Sequence, residues 1–105
     1  MLRIYAVIVE VIGELRAVIE AIEKRDLDLA RQMRRAASSV ALNTSEAMHA
    51  RGRNGALRYN TAMGSMRETL ACIDVAVALG YVDDIDAKLR DSIDRVNATL
   101  YRLSA

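Results

Sequence analysis

Apolar residues recur at spacings of three and four along most of this chain, which is the period of an amphipathic helix. Four such segments predict helices 1 to 4 over residues 2–23, 27–50, 56–79 and 84–103. The apolar stripe of each segment has to be buried, so we expect the helices to share one core. Its predicted members are Ile4, Ile8, Val11, Leu15, Val18 and Ile22, widened by Tyr5, Ile12 and Ile19; Ala30, Met33, Ala37, Val40, Thr44 and Ala47; Tyr59, Met63, Met66, Leu70, Ile73 and Val77; and Ile85, Leu89, Ile93, Val96, Leu100 and Leu103.

Short polar breaks separate the four segments. The residues predicted to cap or end the helices are Asp26, Asn54, Gly80 and one of Asp83 and Asp84. Connections this short make consecutive helices antiparallel neighbours. The pattern therefore predicts an all-α fold, an up-down-up-down four-helix bundle in a single domain over residues 1–105.

Helices 2 and 3 carry a second face that faces away from their apolar stripes. A purely solvated face would be rich in Lys and Glu, whereas this one holds small, polar and a few apolar residues. We interpret it as an oligomer interface or a polar network between helices, covered by another copy of the chain. Its predicted members are Arg35, Ser39, Asn43, Glu46, Gly64, Ser65, Glu68, Cys72 and Leu79.

Composition supports the helical prediction and narrows the function. The 105 residues include no Pro, Trp or Phe, and 15 basic against 14 acidic residues give a net charge of +1. This balance of charge argues against a strongly basic nucleic-acid-binding domain, but it does not exclude a local basic patch. The single cysteine, Cys72, excludes an internal disulfide and is expected to be a buried, inert thiol. Glu10 and Glu14 interrupt the first apolar stretch, so we expect no signal or membrane segment and a cytoplasmic protein.

The sequence offers little catalytic chemistry. Glu46 and His49 have the Glu-x-x-His spacing of di-iron bundles, but such a site needs two of these motifs, and the chain has one histidine. No glycine-rich phosphate loop, Ser-His-Asp set or carboxylate pair is present. We therefore expect no enzymatic activity, no cofactor and no metal.

Arginines give the one concentration of positive charge. They lie on helix 2 and around the break that follows it, and the candidate nucleic-acid contacts are Arg31, Arg34, Arg51, Arg53 and Arg58, with Arg35 nearby. They fit either a solvated face with weak ion pairs or a rim that contacts phosphates. The dispersed tyrosines provide little for stacking against bases.

An ordered set of motifs resembles a known family. The motifs are Leu29-x-x-Gln32-Met33-Arg34-Arg35-Ala36-Ala37-Ser38-Ser39-Val40, Asn43-x-x-Glu46, Ala62-x-Gly64-Ser65-x-x-Glu68 and Leu79-Gly80-Tyr81-Val82. They resemble the four-helix-bundle family, also called the 23S rRNA intervening-sequence protein family. The resemblance implies a left-handed bundle that assembles into a ring-like homopentamer, with no established enzymatic activity. It also implies distant kinship with the accessory variability protein of diversity-generating retroelements, which binds RNA and a reverse transcriptase.

Two positions depart from the family pattern. Ala41 stands where the family usually has Pro, and Ala47 where it has Gly, so helix 2 should be straighter and longer here. With these features we expect a non-enzymatic, homo-oligomeric scaffold or adaptor. The alternative is an RNA- or DNA-binding oligomer that uses the arginine-rich rim of helix 2 and residues 51–58. The expected partners are further copies of the chain, with RNA, DNA or another protein as candidates.

Overall fold

A computed structural model describes residues 3–105, which form four α-helices and no strand. They are α1 (Ile4–Glu23), α2 (Leu27–His49), α3 (Arg53–Ala78) and α4 (Ala87–Leu103). Each helix packs against the next, and α1 also contacts α4, so the packing agrees with an antiparallel bundle. The predicted all-α class is confirmed, while the predicted start of helix 1 at Leu2 lies outside the described residues.

The core is made of the apolar stripes that face the bundle axis. Its fully buried large side chains include Ile8, Leu15, Met33, Ile73 and Ile93. Two buried hydroxyls are satisfied within their own helices, because Thr44 donates to the Val40 carbonyl at 2.8 Å and Thr69 to the Ser65 carbonyl at 2.9 Å. Most predicted core positions are confirmed; those only partly buried are Ile12, Val18, Leu70, Val77 and Leu103.

Tyr5 does not widen the core as predicted. Its side chain is exposed, and Ile19 is the residue that completes the buried stripe of α1. The helical period accounts for the difference, since Tyr5 lies on the outer side of the Ile4–Ile8 ridge.

The predicted starts of the third and fourth helices are wrong by about one turn. Gly52 adopts a positive φ of 58° and accepts a hydrogen bond from the Ala56 amide, so α3 begins at Arg53 and Asn54 does not cap it. At the fourth helix, Asp86 is the cap and accepts from the Leu89 amide at 2.7 Å. Asp84 instead accepts a hydrogen bond from the Ile85 amide in the segment before the helix, and the Ile85 side chain is buried in the core.

One carboxylate joins the two turns at the same end of the bundle. Asp26 Oδ1 accepts from the Leu29 amide at 3.0 Å, which confirms the predicted N-cap of α2. Asp26 Oδ2 accepts from the Tyr81 hydroxyl at 3.2 Å, and the Arg25 guanidinium lies 5.6 Å from the centre of the Tyr81 ring. The α3–α4 connection is thereby tied to the α1–α2 turn.

Gly80 ends α3 in the manner that the sequence predicts. Its φ is +74°, and the Tyr81 amide donates to the Ala76 carbonyl while the Gly80 amide donates to that of Val77. This double hydrogen bond is the Schellman motif, which satisfies the last carbonyls of a helix. Gly80 therefore places Tyr81 where it can reach Asp26.

Across residues 3–105 we find no helix that combines the length and the apolar character needed to cross a bilayer.

Replacing Asp26 with Ala should lower the free energy of unfolding by about 1–3 kcal/mol, because both the N-cap and the acceptor for Tyr81 are lost. Urea unfolding followed by circular dichroism measures it. The matched control is Asp83→Ala, which removes an exposed carboxylate that bonds to no described residue and should change stability by less than about 0.5 kcal/mol. Equal losses in the two variants would contradict the role of Asp26.

Candidate assembly face and candidate nucleic-acid interface

The contact between α2 and α3 is the most extensive in the bundle. Both helices bury small residues, among them Ala36 and Ala37 on α2 and Gly55 and Ala62 on α3. Small side chains let two helix backbones approach closely. The two helices therefore form one tightly closed hairpin with a common outer face.

A polar network runs along the outer edge of this hairpin. The Ser65 hydroxyl donates to the Ser39 hydroxyl at 2.8 Å, and the Asn43 amide donates to the same Ser39 oxygen at 2.9 Å. Farther along, Gln32 donates to a Glu68 carboxylate oxygen at 3.4 Å. The structure thus joins Ser39, Asn43 and Ser65 in one cluster and pairs Glu68 with Gln32 separately, all within one chain.

Arg35 and Glu46 are placed differently from the other network residues. Both side chains are exposed on the outer side of α2 and make no hydrogen bond or ion pair with the described residues. The helical period places both residues on the outer side of α2, as predicted, but within the protomer they do not reach α3.

The outer side of α3 carries an exposed apolar stripe, which we define as Leu57, Gly64, Ala71, Val75 and Leu79. These residues recur at spacings of seven, seven, four and four, and all are exposed, Val75 by 46% and Leu79 by 56%. Nothing lies within 4 Å of a Cβ built on Gly64, so this position faces open space within the protomer. Within the protomer, the second half of α3 is buried on one side only.

Cys72 faces inward, away from the α3 stripe. It is 2% exposed and lies in the core of the protomer, so the predicted buried thiol is confirmed. Burial raises the pKa of this thiol, and the nearby Glu68 carboxylate acts in the same direction. As a predicted interface residue it is misplaced, because its surface is unavailable to a second copy.

The Glu46 and His49 pair does not form a ligand cluster in the described part of the chain. His49 Nδ1 lies 2.9 Å from the Ser45 carbonyl of its own helix. Residues 3–105 contain no group of three or more His, Cys, Asp or Glu side chains arranged to hold a metal ion.

The candidate arginine rim is divided between the two ends of the bundle. Arg34 makes two hydrogen bonds with Glu23 of α1, at 2.9 and 3.1 Å. The hydrogen bond from Arg34, together with its charge, lowers the pKa of the Glu23 carboxyl. Arg31 and Arg35 line an open groove of about 940 Å³ together with Asp28 and Glu68, so acidic groups share that surface.

The remaining predicted arginines lie at the opposite end, around the α2–α3 turn. Arg51 and Arg53 are exposed, and Arg58 donates to Asn43 Oδ1 at 3.4 Å. The antiparallel helices bring Arg3 and Arg102 to this end, with Arg95 midway along α4 in a groove shared with Arg3, and the sequence reasoning missed all three. The signal that could have found them is the topology itself, which places the start of helix 1 and the end of helix 4 beside the second turn.

One protein-family model, described as 23S rRNA-intervening sequence protein, matches residues 2–102. The match spans nearly the whole chain and confirms the family indicated by the ordered motifs. Searches of curated proteins and of solved structures gave no match.

The hydrogen bond between Ser39 and Ser65 can be measured by a double-mutant cycle. Ser39→Ala and Ser65→Ala should each destabilise the chain, and the double variant should lose less than the two losses combined, with a coupling of about 0.5–1 kcal/mol. Urea unfolding of the four proteins gives the coupling. Ser92→Ala provides the control, since the Ser92 hydroxyl bonds only within α4 and should combine additively with Ser65→Ala. Additive losses for the Ser39 and Ser65 pair would contradict the contact.

Proposed function

The chain belongs to the 23S rRNA-intervening sequence protein family, and we propose that it acts as a non-enzymatic scaffold or adaptor assembled from several copies of itself. The observation that carries this proposal is the exposed apolar stripe of α3, which lies beside the outer face of α2. In the proposed assembly a neighbouring copy covers this stripe.

The distribution of exposed apolar side chains supports such a contact. Single exposed apolar residues are ordinary, whereas residues aligned along one helix form a continuous surface that favours association. Val75 and Leu79 are adjacent in this way, Leu57 lies in the same line but beyond Thr61 and Glu68, and Leu42 is exposed on the adjacent α2. Gly64 and Ala71 lie between them and leave room for the side chains of a partner.

Charged groups on the same face would set the register of the contact. Arg35 and Glu46 have no partner among the described residues, and Glu68 receives one long hydrogen bond from Gln32. Complementary charges at the edge of an apolar contact favour one arrangement of the partners over others. We propose that these residues pair between copies, and Glu68→Ala should weaken the assembly.

The copy number that we propose is five, arranged as a ring. It rests on the resemblance of the ordered motifs on helices 2 and 3 to those of the family. A ring requires that two different surfaces of each copy meet, so that every copy offers both.

The proposal of a non-enzymatic role is supported by the state of the groups that could react. The one thiol is buried with a raised pKa, and the one histidine bonds to its own helix. Nucleophilic catalysis uses an accessible thiol with a lowered pKa instead.

Val75→Glu should abolish assembly, because a carboxylate would be buried at every contact between copies without a partner. Light scattering after size-exclusion chromatography should give a multiple of 11.6 kDa for the natural chain and the protomer mass for the variant. Val9→Glu is the matched control, since Val9 is also 46% exposed but lies on α1. Circular dichroism checks that both variants are folded.

Two results would overturn the proposal. One is a natural chain that elutes as a monomer at all concentrations. The other is equal dissociation by Val9→Glu and Val75→Glu, which would show that the α3 stripe is no more important than any exposed valine.

A further inference from the structure

The charges of this chain are separated along the long axis of the bundle. The molecule measures 43 Å along that axis and 26 and 19 Å across it. One half comprises residues 3–13, 38–65 and 95–105, because the antiparallel helices bring these segments together. The grooves of that end agree with this, since Arg53 shares one with Ser104 and Ala105, and Arg3 shares another with Arg95.

This half contains six arginines and only two acidic residues, Glu10 and Glu46. We call the six arginines the basic pole, and its members are Arg3, Arg51, Arg53, Arg58, Arg95 and Arg102. The other acidic residues of the described chain lie in the opposite half, where the α1–α2 turn meets the α3–α4 connection, with Glu14, Asp91 and Asp94 close to the middle of the bundle. The net charge of +1 is therefore the difference between a positive and a negative end.

The charge of the basic pole is largely unneutralised within the protomer. Arg95 is its one member with an ion pair among residues 3–105, to Asp91 at 3.1 Å. Arg58 and Arg102 donate to the neutral oxygens of Asn43 and Thr99. By contrast, Arg34 and Arg90 outside the pole both pair with carboxylates at 2.9 Å.

The kind of cation at the pole indicates the kind of ligand. This half contains arginines and no lysine, whereas both lysines of the chain, Lys24 and Lys88, lie in the opposite half. The planar guanidinium donates two parallel hydrogen bonds to a phosphate, which an ammonium cannot do. The arginines come from the residue before α1, the α2–α3 turn, α3 and α4, and they do not converge on one cavity. A polymer of phosphates would therefore engage more of them than a single anion.

Two tyrosines that are far apart in sequence add a second kind of contact. Tyr5 and Tyr101 lie in the same half as the pole, and both rings are exposed, Tyr101 by 67%. Exposed aromatic rings beside a basic surface stack with the unpaired bases of single strands. In the linear sequence these residues look dispersed, and the fold brings them to one end.

We propose that the basic pole binds single-stranded nucleic acid through its phosphate backbone, with Tyr5 and Tyr101 stacking on bases. The pole is present in every protomer, so this binding does not depend on the proposed assembly. Arg31, Arg34 and Arg35 of the sequence-predicted rim are outside the site.

The test uses fluorescence anisotropy with labelled twenty-nucleotide uridine RNA, thymidine DNA and a duplex, over a series of salt concentrations. The double variant R51Q/R53Q should weaken single-strand binding about tenfold at low salt and reduce the salt slope by about 1.4, or roughly 0.7 for each lost phosphate contact. The matched control R16Q/R31Q changes the net charge equally in the other half, outside the proposed contact between copies, and should alter binding less than about twofold. The RNA and DNA arms show which strand the pole prefers.

Tyr101→Leu separates stacking from charge, because it leaves all arginines in place. It should weaken single-strand binding about fivefold or more while leaving duplex binding unchanged. Absence of single-strand binding at low salt would overturn the proposal, as would equal weakening by the two double arginine variants. Co-sedimentation with phosphatidylserine vesicles by a chain that binds no RNA or DNA would assign the pole to a membrane surface and also overturn it.

Discussion

The close approach of α2 to α3 is the constraint on which the other features depend. Ala36, Ala37 and Ala62 leave little volume between the two backbones, so these helices close into a hairpin that uses only their inner sides. The large apolar residues of α1 and α4 complete the core from the opposite side. The residues on the outer sides of α2 and α3 therefore remain at the surface of the protomer, and they include the exposed apolar stripe of α3.

The helical period made most of the fold predictable, because apolar residues at spacings of three and four lie on one face only if the segment is an α-helix. The caps at Asp26 and Gly80 were predictable for a similar reason, since their chemistry acts within one turn. The starts of α3 and α4 were not. The first depends on a positive φ at Gly52, and the second on Ile85 entering the core before the helix begins, and neither follows from periodicity.

The candidate sites show the same division. Ser39, Asn43 and Ser65 could be grouped from the sequence because they lie on adjacent sides of consecutive helices. The arginines could not be grouped correctly, since Arg34 lies about four turns before the end of α2 and Arg51 follows that end. Only the antiparallel topology brings Arg3 and Arg102 to the turn that contains Arg51. Nearly equal numbers of acidic and basic residues therefore concealed an uneven distribution of charge over the surface.

The contact between α1 and α4 is the least extensive of the four helix pairs that pack side by side. Those two helices are also the farthest apart in sequence, whereas α2 and α3 are joined by one short turn. Contacts that are near in sequence form fastest, so the central hairpin should be the nucleus on which α1 and α4 dock. We expect local opening of the folded chain to follow the reverse of this order of formation. The seam between α1 and α4 should open first, and the backbone amides of these two helices should then exchange with solvent before those of the hairpin.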